Sequence, residues 1–194
     1  MLVKVRSEDA YGCERDSERV MNTAVHGALI DVRGVGVMLL GPSGVGKSEC
    51  ALELINRGHR LAADDVIELT VRADGKLMGS APPRIRHHME IRGLGIFFVP
   101  ELFDGDSVCD EMTVDLICRL ERWREDAVYE RVGLERKTES LLGVEIPVLT
   151  LPARPGGSMA TVVEVAAREH LQRIQGVNAA MRLDQRLREE MRRR

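Results

Sequence analysis

The sequence predicts an α/β domain in which a mixed β-sheet is flanked by helices, with further helices at the C-terminus. Three observations carry this. The apolar run Val35-Gly36-Val37-Met38-Leu39-Leu40 leads through a glycine-rich turn into a segment of helical period, Glu49 to Arg57. Short apolar runs of strand length, punctuated by Gly, Pro and Asp, recur on both sides of that unit. Two longer helical stretches close the chain, one opened by Ser158 and stopped by Gly176, the other opened by Asn178 and running to Arg194.

Composition narrows the function classes. A chain of 194 residues with 44% hydrophobic and 30% charged residues suits one soluble domain with a real core. Aromatics are only 3%, so the core is aliphatic and few rings are available to stack bases. With a net charge of −3, no nucleic-acid partner is expected. Cys13, Cys50, Cys109 and Cys118 form no C-x-x-C pair, which argues against zinc and redox chemistry. Cys50 and Cys118 sit in apolar patterns and read as buried thiols. Neither a signal core nor a run of membrane length appears, so no membrane partner is expected and the cytoplasm is the default location.

In chain order, residues 1–20 are mostly polar and are expected to have low order, or a short strand at Leu2 to Val5. Ala24 to Val32 reads as one strand, turned by Arg33-Gly34 into the strand Val35 to Leu40, which places His26 near the start of a strand paired to its neighbour. Gly41-Pro42-Ser43-Gly44-Val45-Gly46-Lys47-Ser48 then fits G-x-x-x-x-G-K-[ST], the phosphate-binding loop. Its glycines let backbone N–H groups face phosphate oxygens, and the helix N-terminus adds partial positive charge. Lys47 would reach the β- and γ-phosphates and the Ser48 hydroxyl would hold Mg²⁺.

In the helix, Ala51, Leu52, Leu54 and Ile55 form one face and Gly58 is the stop. Arg60 to Ala63 is a short strand, and Asp64-Asp65 at its end are placed to face a nucleotide. Adjacent carboxylates repel, so one of them is expected to have a raised pKa, useful in a general base. Val66 to Val71 and Leu77 to Ser80 form a hairpin around Ala73-Asp74-Gly75-Lys76. Residues 84–96 read as a loop. Its His87-His88-x-Glu90 spacing does not put two imidazoles on one helix face, so a histidine metal site is disfavoured. Glu90 near Mg²⁺ and Arg92 near a phosphate fit better, with Gly93 and Gly95 letting the loop bend. Val114 to Leu120 reads as a strand and Trp123 as a core cover. Glu145 to Leu151 is a strand that Pro147 places at an edge or near its start. Pro152 to Gly157 is a loop. In the helix capped by Ser158, Val162, Val163, Val165, Ala166, Leu171 and Ile174 are expected to face the core.

Together these stretches resemble the catalytic domain of the HPr kinase/phosphorylase family, from about Val25 to Ala180. The carriers are Val25-His26-Gly27, the phosphate loop, Gly58-His59-Arg60-Leu61 with Asp64-Asp65, Met89-Glu90-Ile91-Arg92-Gly93-Leu94-Gly95-Ile96, Arg131-Val132-Gly133-Leu134, the Pro152 to Gly157 loop, and Glu164-Val165-Ala166-Ala167. The resemblance implies a P-loop kinase that uses ATP and Mg²⁺ to phosphorylate a serine of the phosphocarrier HPr in regulation of carbohydrate metabolism. It implies a reverse phosphorolysis too, in which inorganic phosphate gives pyrophosphate. It implies that His26, Lys47, Asp65 and Arg131 are active-site residues, with Asp65 as base in one direction and acid in the other. Ser48 and Glu90 match the Mg²⁺ ligands, residues 89–98 a segment used in both directions, and Pro152, Arg154, Pro155, Gly156 and Gly157 belong to the dephosphorylation loop. A homo-oligomer, a hexamer in the family, is implied as well.

There are departures. Longer members carry a separate N-terminal domain, whereas only about two dozen residues precede His26 here, so residues 1–194 are expected to form a single catalytic-type domain. Pro42 stands where many members have aspartate, Ala153 replaces a valine, and Gly157 stands where the family usually has arginine, which weakens the expectation of phosphorolysis. The alternatives are a kinase of the same fold with another substrate and a nucleotide-dependent regulatory binder of HPr. The complete set Lys47, Ser48, Asp65 and Glu90 argues against the binder.

Overall fold

The computed structural model describes residues 22–130, 133–154 and 156–192. Where the sequence reads as one strand at Ala24 to Val32, there are two, β1 (Asn22–His26) and β2 (Ala28–Val32), divided at Gly27. A tight turn leads to β3 (Val35–Leu40), and the phosphate-loop segment leads to α1 (Lys47–Asn56). Then come β4 (Arg60–Ala63), β5 (Val66–Val71) and β6 (Leu77–Ser80). The expected 84–96 loop is largely a hairpin, β7 (His88–Ile91) and β8 (Gly95–Phe98), followed by the short α2 (Val99–Phe103). The chain continues through β9 (Glu111–Thr113), β10 (Leu116–Arg122), β11 (Lys137–Leu141) and β12 (Val144–Ala153). It ends in α3 (Met159–Ile174) and α4 (Ala179–Arg192).

The main sheet is mixed and six-stranded, in the order β11-β12-β10-β3-β2-β4, with β12, β10 and β3 parallel. A second, antiparallel sheet has the order β1-β5-β6-β9. The main sheet is apolar on both faces, which is why its strands read as unbroken apolar runs. Ala28, Ile30, Val37 and Leu39 pack toward Ala51 and Leu54 of α1 and Val163 and Ala167 of α3. Leu29, Met38 and Leu40 pack toward Ile67, Leu69 and Leu77 of the second sheet. The result is three layers: helices, main sheet, second sheet.

Two ribbons pass together from the main sheet to the second. β2 and β4 pair in the first and β1 and β5 in the second. The crossing lies at Gly27 and Asp64-Asp65, where the Gly27 N–H donates to the Asp65 carbonyl at 3.1 Å. Only glycine fits at 27, since a Cβ there would lie 2.6 Å from the Leu39 carbonyl oxygen.

Other details depart from the sequence expectations in places and meet them in others. Pro147 is not on an edge strand: β12 lies between β11 and β10, but its parallel pairing with β10 begins only at Val148, so proline removes no ladder bond on that side. In α3 the buried residues are Ala160, Val163, Ala166, Ala167 and His170, while Val162, Val165 and Ile174 are exposed. Trp123 is only half-buried, stacked on Tyr129 with the Arg154 guanidinium 3.7 Å above its ring. Ser158 caps α3 by accepting from the Thr161 N–H, and Asn178 Oδ1 accepts from Met181 N–H at 3.1 Å at the start of α4. Cys50 and Cys118 are buried thiols, and burial pushes both up to about 12. Among the described residues no helix is long and apolar enough to cross a membrane.

Candidate active site

Four strand ends meet on one rim of the main sheet. β3 and β10 are parallel, and β4 points the same way across the antiparallel β2. Leu40, Arg122 and Ala63 therefore end on that rim, and β2 starts there at Ala28. Ligands of open α/β sheets bind outside such carboxyl ends.

The loop from Gly41 to Gly46 leaves the rim beside β10. Gly41 packs so closely that a Cβ would meet the Leu120 carbonyl oxygen at 2.4 Å. Gly44 and Gly46 have φ of 73° and 101°, and α1 begins at Lys47 without a side-chain cap. The unpaired N–H groups of the first turn form a natural anion site. Pro42 and Val45 shape the turn, with the Val45 N–H donating to the Pro42 carbonyl at 3.3 Å. Lys47 is buried, and its Nζ donates to the Gly41 carbonyl at 3.0 Å and the Pro42 carbonyl at 3.3 Å. An ammonium has three N–H bonds, so one remains for a phosphate oxygen. Burial lowers the Lys47 pKa, against the charges of Asp64, Asp65 and Glu49.

His26, Ser43, Gly44, Gly46, Lys47 and Ser48 line one cleft, together with Glu49, Asp64, Asp65, Glu90 and Arg92. The two aspartates differ. Asp64 is 4% exposed and accepts from the Ser48 hydroxyl at 3.0 Å. Asp65 projects into the open cleft, its side chain 60% exposed, with Oδ1 2.9 Å from His26 Nδ1. His26 thus reaches the cleft from β1, whose partner is β5 and not the loop's own strand. Asp65 also sits at φ 68°, an uncommon conformation for a residue other than glycine, at the crossing between sheets.

The sequence reading expects one of the two carboxyls to have a raised pKa. The raised carboxyl is Asp64, shifted by burial against the Ser48 hydrogen bond. The folded state holds that proton more tightly than the unfolded chain. The ionised group therefore costs nothing below its ordinary value of 3.8 and its full amount above the raised value, stability falling as pH rises between them. Asp64→Asn, which cannot ionise, is expected to flatten that slope in the ligand-free protein. Equal melting curves for both proteins from pH 4 to 7 would refute it.

Glu90 and Arg92 come from the β7–β8 hairpin, anchored by the buried Met89. Arg92 Nη2 donates to Ser43 Oγ at 3.2 Å, and Gly93 and Gly95 make the turn with φ of 87° and 97°. Pro152, expected in a loop, lies within β12 and pairs with Glu121 of β10, while Arg154, Gly156 and Gly157 follow the strand's end; none of these lines this cleft. Arg131 and Pro155 lie outside the described residues. Sequence reasoning did not single out Asp64 as the partner of Ser48. The doubled acid after a short strand is the signal, but nothing in it says which carboxylate turns inward.

A described set of Ser48, Asp64 and Glu90 offers hard oxygen donors. No group of three or more His, Cys, Asp or Glu among the described residues is arranged to hold a metal by itself. Oxygen donors of this kind are what Mg²⁺ takes, one or two from protein and the rest from phosphate and water.

Fold and cleft define a phosphate-loop α/β protein with an acidic pair opposite the loop lysine. Residues 18–187 match the model of the HPr Serine kinase C-terminal domain, and the chain belongs to that family. It is 51% identical over 172 residues to the HPr kinase/phosphorylase of Caldanaerobacter subterraneus subsp. tengcongensis, covering 89% of this chain and 56% of that one. It is 48% identical over 165 residues to that of Exiguobacterium sibiricum, covering 85% and 53%. The chain thus spans about half the length of the curated relatives it matches. A solved structure, the HPr(Ser) kinase/phosphatase from Coxiella burnetii, superposes with a TM-score of 0.73 at 32% identity, covering 79% of this chain and 93% of that one.

Proposed function

We propose that this chain is an ATP-dependent kinase of a serine on HPr, with Mg²⁺ as cofactor and a reverse phosphorolysis. Family membership implies nucleotide use. The observation that carries the rest is the exposed Asp65, held by His26 in the same cleft as Lys47 and Ser48. In the forward direction Asp65 takes the serine proton as the serine oxygen bonds to the γ-phosphorus and the bond to ADP breaks. In reverse an inorganic phosphate oxygen attacks phosphoserine, Asp65 returns the proton to the departing oxygen, and pyrophosphate forms. Lys47 and the loop N–H groups bind and orient the phosphates. Mg²⁺, held by Ser48 and Glu90 with Asp64 behind, would neutralise phosphate charge. Arg131 is assigned the same charge-neutralising role by resemblance. A homo-oligomer is part of this reading, supported by the exposed Leu183, Leu187 and Met191 of α4.

The test is transfer of label from γ-labelled ATP-Mg²⁺ to purified HPr, with Lys47→Ala as a control, followed by excess phosphate. Labelled serine, absent with the variant, supports the kinase. Tight nucleotide binding without label moves the reading to another substrate. Phosphorolysis is expected to be weak, because Gly157 supplies no cation. A Cβ at 157 would meet only the Arg154 carbonyl oxygen at 3.5 Å and its Cβ at 4.0 Å, so a side chain fits. Gly157→Arg is expected to speed pyrophosphate release about 5- to 10-fold with the kinase rate unchanged. An unaltered rate of phosphorolysis would count against that role for the loop.

A further inference from the structure

We propose that Arg122, at the end of β10, is a second phosphate-binding arginine of the loop, gripping the di- or triphosphate chain of the nucleotide from the flank opposite Asp65. This rests on the nucleotide reading above and extends it to a residue that neither the loop motif nor the resemblance singles out.

The sheet order sets the geometry. β10 lies on one side of β3 and the β2–β4 pair on the other. The phosphate loop thus rises between Arg122 on one flank and Asp64-Asp65 on the other. The parallel register ends at Arg119 opposite Leu40, and β10 runs three residues farther while β3 turns into the loop. Leu120 is the close neighbour of Gly41, and Arg122, two residues on, reaches Gly44. A Cβ at Gly44 would lie 3.9 Å from Arg122 Nη2 and 3.1 Å from Arg92 Nη1.

Charge points the same way. Arg119 is paired with Glu139 and Arg124 with Asp126, whereas Arg122 is exposed and has no carboxylate partner among the described residues. Two guanidinium groups converge on the tip of a loop whose backbone already presents N–H donors. Like charges so placed repel until an anion lies between them, and a polyphosphate with several oxygens suits paired planar donors.

The experiment is calorimetric titration of wild type, Arg122→Ala, Arg122→Lys and Arg124→Gln with ATP, ADP, pyrophosphate, inorganic phosphate and AMP. Arg122→Ala is expected to weaken ATP, ADP and pyrophosphate about tenfold, and AMP and inorganic phosphate less than threefold. Arg122→Lys recovers part of the loss, and Arg124→Gln, the same charge change two residues away, stays within about twofold. In the transfer assay KM for ATP rises while kcat holds, as for an interaction equal in ground and transition states. Polyphosphate affinities within about twofold of wild type in Arg122→Ala would overturn the proposal, and so would an equal loss in Arg124→Gln, which would make it a general field effect. An absence of transfer to HPr in the wild type would sink the function proposed above and leave these titrations decisive.

Discussion

Asp65→Asn is expected to lower phosphoryl transfer to HPr by about a thousandfold and to leave nucleotide affinity within about threefold of wild type. The substitution isolates one property. Asparagine tolerates the left-handed backbone at φ 68° about as well as aspartate, so the corner between β4 and β5 is preserved. Its amide oxygen can still accept from His26 Nδ1, now 2.9 Å from the carboxylate. What is lost is the ability to take a proton. Alanine at 65 would confound that loss with backbone strain and an unpaired histidine. Single-turnover transfer and a nucleotide titration on the same preparation separate the two readouts. More than a tenth of wild-type transfer in Asp65→Asn would remove Asp65 from the base role.

Gly36→Ala is expected to be the most destabilising alanine substitution among the described glycines, costing more than about 4 kcal/mol and lowering the melting temperature by about 10 °C or more. Here β3 runs directly under the end of β9. A Cβ at 36 would lie 1.6 Å from the Thr113 carbonyl oxygen and 2.8 Å from its carbonyl carbon. Both are backbone, so no rotamer change relieves the clash. The Gly36 N–H also donates to Asp115 Oδ2 at 2.8 Å and its carbonyl accepts from the Asp115 N–H at 2.9 Å, so a shift of β3 breaks a second set of contacts. Gly34→Ala, in open space at φ 87°, is the control and is expected to cost about 1 kcal/mol. Denaturant midpoints for the two variants that differ by less than the scatter of replicates would show that β3 and β9 separate easily.

The sequence makes the phosphate loop, α1, the β2–β3 turn and both C-terminal helix caps legible because each depends on local chemistry: glycine where φ is positive, an Asn or Ser oxygen before a helix. Long-range partners leave no such mark. Ala24 to Val32 is one apolar run, and nothing local says that Gly27 hands it from one sheet to another. That depends on how close Leu39 lies. The 84–96 segment reads as a loop because its strands are only four residues each and one face carries His88 and Glu90. β11, KTESL, is too polar to announce itself and is held by pairing with β12. The cleft was legible as a set of residue types. Its division into an inward Asp64 and an outward Asp65 was not, because that depends on the turn between β4 and β5.

The placement of β10 beside β3 has a consequence for the order in which the chain can acquire structure during synthesis. β2 and α1 emerge with β3, but the strand that covers its other edge comes much later. At roughly 5–20 residues per second, the about 75 residues between Leu40 and Leu116 take on the order of 4–15 s to appear. For that interval the nascent phosphate-loop strand presents one bare edge, open to wrong pairing or to a chaperone. Because Arg122 ends β10, the loop acquires its last flank only once that strand has emerged. Nucleotide added to a ribosome-bound chain would find a firm site only past that point.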